Sequence, residues 1–151
     1  MMDALSRFGY AEDAWALITR EEYPSLGYMI QNEATTVWER FELKKNPSMN
    51  SYNHPMYGAV GYWFYAFLTG LKPLGPAWRE FEAAPVVPQK LLSAGAVVET
   101  PFGDISARWV KRYGELHLYL NVPTGTRAHV RMPWGAEETV EGGWYHWSNP
   151  L

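Results

Sequence analysis

Glu115-Leu116-His117-Leu118-Tyr119-Leu120-Asn121-Val122, followed after a short break by Arg127-Ala128-His129-Val130-Arg131-Met132, decides the fold class. Successive side chains of a strand point to opposite faces, so the even-numbered Leu, Val, Ala and Met positions share one face and the polar positions share the other. That is the pattern of half-buried strands. Working outward, Pro101-Phe102-Gly103 and Tyr113-Gly114 are turn signals between runs, and Gly142-Gly143 precede a last strand over residues 144–147. About five to seven short strands at this spacing predict an antiparallel β-sandwich. His117, His129 and His146 stand on the polar phase of their strands and are expected at the surface.

Before Lys72-Pro73-Leu74-Gly75-Pro76 the period differs. Leu5 and Phe8 followed by Gly9 predict a short helix with glycine just past its end, and Glu12 and Asp13 then sit where acids favour a new first turn, predicting a second helix to about Arg20. Residues 21–53 show no sustained period, with turn chemistry at Tyr23-Pro24-Ser25-Leu26-Gly27 and again at Lys44-Lys45-Asn46-Pro47-Ser48. A third helix is expected over residues 56–69, apolar nearly all round and therefore buried on most faces, with Gly70 as its stop. The expected class is α+β: helical hairpins over residues 1–72 and a β-sandwich over residues 77–151. Three helices with so apolar a face need cover from the β-domain, a second copy, or hairpins upstream.

Composition narrows the function. Thirteen Lys and Arg against sixteen Asp and Glu give a net charge of -3 without a basic run, which argues against nucleic acid as a partner. The chain has no cysteine, so neither disulfides nor thiolate metal sites arise, and neither metal nor cofactor is expected. Localisation is not legible. The N-terminus, with Asp3 and no long apolar stretch, is not expected to be a secretory signal. Residues 55–71 are uncharged but number only seventeen and contain three glycines, which reads as a core helix and not as a membrane span. Eight Trp, ten Tyr and six Phe make up 16% of the chain; aromatic faces suit the C–H faces of sugars, but they equally fill cores and interfaces.

Phosphate loops, paired-His metal spacings and Gly-x-Ser-x-Gly elbows are all missing from the sequence. The chemistry-bearing segment is the irregular one, with Trp38-Glu39-Arg40 on one side and Asn50-Ser51-Tyr52-Asn53-His54 on the other. This puts a carboxylate, an imidazole, amides and aromatic faces within reach of one pocket. Glycoside hydrolysis uses a carboxylic acid to protonate the leaving oxygen and a second carboxylate to activate water or attack the sugar. Equally, Glu39 could pair with Arg40 or Lys44 in a solvated loop.

The ordered set Tyr23-Pro24-Ser25-Leu26-Gly27-Tyr28-Met29, Ala34-Thr35-Thr36-Val37-Trp38-Glu39-Arg40-Phe41, and Ser51-Tyr52-Asn53-His54 with Gly58-Ala59-Val60-Gly61 resembles the C-terminal end of the bacterial α-L-rhamnosidases. The likeness is close over residues 20–70 and weaker beyond 78. It implies the last hairpins of an (α/α)6 barrel followed by a small β-sandwich. It also implies an inverting mechanism with Glu39 as the general base, with His54, Asn53 and Trp38 contributing to sugar binding, and with L-rhamnose-containing glycosides as substrates. Glu33, Phe41 and Pro55 depart from the family's Gly, Trp and Tyr, and the loop between Glu39 and His54 is shorter. The family's general acid belongs to an acidic segment upstream, which these residues do not contain, so the isolated chain is expected to be inactive. The alternative is a non-catalytic sugar-binding or interaction module in which Trp109, Trp134, Trp144 and Trp147 are platforms; these tryptophans can also be core, since Trp109 shares the inward phase of Ile105 and Ala107.

Overall fold

The computed structural model describes residues 1–43 and 51–151. The expected loop at 44–48 and Asn50 lie outside the described residues. The α+β class holds, with short helices preceding a curled mixed sheet. The chain forms two compact units, Met1–Trp63 and Phe64–Leu151.

In the first unit, α1 (Met2–Arg7) and α2 (Ala11–Thr19) form the expected pair, turned by Gly9 at φ 88. Asp3 in the first turn of α1, and Glu12 and Asp13 in that of α2, oppose the positive helix ends. A further helix, α3 (Leu26–Gln31), occupies the segment expected to be irregular. Ser25 is its N-cap, the side-chain oxygen accepting from the Tyr28 N–H at 2.9 Å. Gly27 is needed there because a Cβ would lie 2.2 Å from the Arg20 carbonyl oxygen. Residues that read as turn formers are thus a helix start, and six residues are too few to show a period. The third apolar stretch is helical over residues 55–68, close to the expected span, but it changes type along its length: a 3₁₀ segment Pro55–Ala59 leads into the single turn α4 (Val60–Trp63) and then into a π-helical turn. Trp63 is 1% exposed and donates from Nε1 to Ser6 Oγ at 2.8 Å, which ties α4 to α1. Met56 and Tyr62, expected to be buried, are more than half exposed.

The second unit opens with a π-helical turn, Phe64–Leu68, whose last three residues are buried. The strands are β1 (Leu71–Pro73), β2 (Glu80–Ala83), β3 (Ser93–Thr100), β4 (Gly103–Arg112), β5 (Glu115–Arg131) and β6 (Glu137–Pro150), with a 3₁₀ turn Pro76–Trp78 before β2. They form one sheet in the order β1-β2-β5-β4-β3, with β6 on β5. Every pairing is antiparallel except β2 with β5, which is parallel. The long β5 makes this possible. Its first half pairs with β4 through Leu116↔Lys111 to Asn121↔Ser106, its second half with β2 through Arg127↔Glu80 to Val130↔Ala83, and β6 follows both halves.

Between the halves the register with β6 jumps from Val122↔Gly143 to Arg127↔Glu141. Gly142 sits opposite this bulge, where a Cβ would be 2.8 Å from Thr124 Cα. The Gly142-Gly143 pair therefore lies inside β6, which starts earlier than its sequence suggests. Tyr113 and Gly114 both have positive φ, the two-residue hairpin turn that matches strand twist. Leu116, Leu118, Leu120, Val122, Ala128, Val130 and Met132 are all buried, as their alternation predicts. Trp109 is fully buried and donates to the Leu68 carbonyl at 2.8 Å.

His117 departs from expectation. It is 7% exposed, its Nδ1 lies 3.1 Å from His146 Nε2, and its ring stacks on those of His146 and Tyr119. Same-face neighbours cover a side chain on the nominally polar phase. Among the described residues no helix is long and apolar enough to cross a membrane.

Candidate active site

The two motif segments of the first unit are laced together by backbone hydrogen bonds. The His54 N–H donates to the Val37 carbonyl at 2.8 Å and the Glu39 N–H to the Ser51 carbonyl at 2.9 Å, while the Thr36 hydroxyl donates to the Tyr52 carbonyl. Residues 36–39 and 51–54 therefore run side by side. The carboxylate of Glu39 completes the lacing, Oε2 accepting from the Ser51 N–H at 2.9 Å. A carboxylate so held has one oxygen fixed by a backbone donor and a defined direction for the other.

His54 caps the 3₁₀ segment that follows it: Nδ1 accepts from the Met56 N–H at 3.2 Å. That places the neutral ring's proton on Nε2, leaving it a donor to a ligand oxygen. Asn53 is exposed, and Ser51 Oγ both accepts from its N–H at 3.2 Å and donates to its carbonyl at 3.1 Å. Trp38 is 4% exposed, its ring edge-on to Tyr52 at 5.4 Å, so it supports the segment from behind. Phe41, which stands at one of the three departures from the family pattern, stacks on Tyr57 at 4.5 Å.

Arg40 pairs with Glu42 at 3.2 Å, and Glu42 also accepts from the Tyr23 hydroxyl at 3.3 Å. Of the two cations considered as mates for Glu39, Arg40 is therefore engaged elsewhere and Lys44 lies outside the described residues. Sequence reasoning assigned no role to Ser51, the residue that positions Glu39. It could not have done so, because the contact is made through a backbone N–H that every residue except proline carries. Among the described residues, no group of three or more His, Asp and Glu is arranged to hold a metal.

The tryptophans of the alternative reading separate in the second unit. Trp109 is core, while Trp134 and Trp147 are half-buried, the latter donating to Glu138 Oε2 at 2.9 Å. Trp144 is 78% exposed.

Residues 1–68 match the profile of the bacterial α-L-rhamnosidase six-hairpin glycosidase domain, and residues 70–146 that of the bacterial α-L-rhamnosidase C-terminal domain. An α-L-rhamnosidase of Formosa agariphila is 34% identical over 147 residues, covering 93% of this chain and 16% of that protein. The α-L-rhamnosidase of Streptomyces avermitilis is 34% identical over 139 residues, covering 88% of this chain and 14% of that protein. Among solved structures, α-L-rhamnosidase from Dictyoglumus thermophilum superposes with a TM-score of 0.94 at 28% identity over 99% of this chain and 20% of that one. The Streptomyces avermitilis enzyme complexed with L-rhamnose does so with a TM-score of 0.90 at 29% identity, over 98% and 17%. The chain thus spans about 15% of the length of the curated relatives it matches, from 14 to 16%. It belongs to the bacterial α-L-rhamnosidase family, matching the end of the six-hairpin domain and the C-terminal domain.

Proposed function

We propose that this chain carries the water-activating half of an inverting α-L-rhamnosidase-type site, with Glu39 as the general base. The observation behind this reading is the Glu39 carboxylate, held by the Ser51 N–H on a segment whose backbone is laced to that of residues 51–54. A base needs a fixed direction toward its water, and the 2.9 Å bond to Oε2 provides it. His54 donates from Nε2 to a sugar hydroxyl, Asn53 reaches the same ligand from its exposed position, and Trp38 shapes the wall from behind. The substrates are L-rhamnose-containing glycosides. The helices through residue 72 are the last hairpins of the barrel, and residues from 77 form its small β-domain.

Inversion requires a second carboxyl about 6.5–9.5 Å from the base, with the water and the sugar between them. In this reading that acid is not supplied by the chain, so the isolated protein leaves the aglycone unprotonated. The test is release of nitrophenol from an aryl α-L-rhamnoside. The expected rate equals that of buffer; release faster than buffer and abolished by Glu39→Gln would show a complete site and overturn the half-site reading.

A further inference from the structure

The half of the sheet formed by β3, β4, β5 and β6 has a second face, opposite the buried Trp109, Leu118 and Leu120. In register across it lie Gly95, Arg108, Tyr119 and His146, and in the next row Val97, Ser106, Asn121 and Trp144. Here a groove of about 730 Å³ opens, with Tyr65, Val97, Arg108, Tyr119 and Trp144 in its lining. Its walls are ordered in advance. Tyr119 stacks on His146 at 4.5 Å and 7°, and its hydroxyl accepts from Arg112 at 2.9 Å. Trp144 is 78% exposed. Arg108 has no hydrogen-bonding or ionic partner among the described residues, and no acid lines the groove. Its stem crosses Gly95, where a Cβ would stand 3.3 Å from Arg108 Cβ and Cγ.

We propose that this groove is a carbohydrate subsite distinct from the Glu39 segment. A sugar ring lays its C–H face on the Trp144 indole, and the Arg108 guanidinium donates two parallel hydrogen bonds to a pair of sugar oxygens, either vicinal hydroxyls or a carboxylate. The exposed indole and the unpaired arginine, with Tyr65 and Val97 in the same lining, suit a ligand that combines an apolar face with paired oxygens. The groove fits a ligand of one or two sugar residues, and the proposal does not depend on the role of Glu39.

The test is titration of the 151-residue chain with methyl α-L-rhamnoside and with methyl β-D-glucuronide, following the tryptophan indole N–H signals by NMR. The Trp144 signal is assigned by its loss in Trp144→Ala, a change at an exposed position. At least one sugar is expected to shift it saturably with a Kd on the order of millimolar, and Trp144→Ala to weaken binding at least about tenfold. Arg108→Gln weakens both sugars alike if hydroxyls are held, and the glucuronide selectively if a carboxylate is. A Trp144 signal unmoved by either sugar, binding that survives Trp144→Ala, or a shift confined to Trp38 would each overturn the proposal.

Discussion

The two units keep their tryptophans in different company. Trp109 sits fully buried between the strands of a continuous ladder, with Leu118, Leu120 and Ile105 at or near zero exposure. Trp63 is as deeply buried, but the elements around it are helices of six, nine and four residues, each shorter than an isolated helix needs to be stable in water. The same unit leaves Phe8 80% and Ile30 70% exposed, with Tyr10, Tyr23, Met56 and Tyr62 all above half. The sheet unit closes its own core. The helical unit, which carries the proposed site, is held by single interactions such as the Ser25 cap, the Trp63–Ser6 bond and the Glu39–Ser51 bond, and it exposes the apolar side chains just named.

The largest consequence is association. Uncovered faces of this kind mark an interface, and a symmetric dimer with a micromolar Kd corresponds to about 8 kcal/mol. Sedimentation equilibrium at micromolar concentration is expected to show mass above the monomer; a monomer with no concentration dependence and no binding of a hydrophobic dye would remove the contrast between the units. Next in size is Trp109→Ala, which empties a core position and orphans the Leu68 carbonyl, and which should cost about 3–5 kcal/mol in chemical denaturation. A loss under about 1 kcal/mol would mean that the sheet's core repacks readily. Ser25→Ala removes a cap worth about 1 kcal/mol, and hydrogen exchange should accelerate in α3 while β4 and β5 stay protected. Uniform acceleration would show that the units unfold together. Smallest is Arg127→Gln. The hydrogen bond to Glu141 and the charge of that carboxylate raise the Arg127 pKa further, but the pair is solvent-exposed and screened, so a thermal melt should show no resolvable change in stability.

Legibility follows the same division. Alternation over 115–122 and 128–132 named the buried face of β5 residue by residue, because a strand's period is a local property. The parallel pairing of β2 with β5 was not legible, since Phe81↔Ala128 joins residues 47 positions apart in sequence with no local mark. His117 misled because the period assigns a face but not what covers it. In the helical unit Gly9 and the acids of α2 announced their helices, whereas Ser25 and Gly27 serve a turn and a helix start equally well. Trp38, Glu39 and His54 stood out in their motif as residue types suited to the proposed chemistry. Their lacing was not, because Ser51 acts through its backbone.

If Glu39 activates water as proposed, supplying the missing acid should restore catalysis, and complementation is the experiment that decides it. The chain is mixed with the remainder of an α-L-rhamnosidase barrel truncated where this chain's match begins, and aryl α-L-rhamnoside hydrolysis is followed by NMR. The expected result is restored activity releasing rhamnose of inverted configuration, lowered about 10²–10⁴-fold by Glu39→Gln and rescued in that variant by azide. Restored activity that Glu39→Gln leaves unchanged, or a product of retained configuration, would rule out Glu39 as the general base.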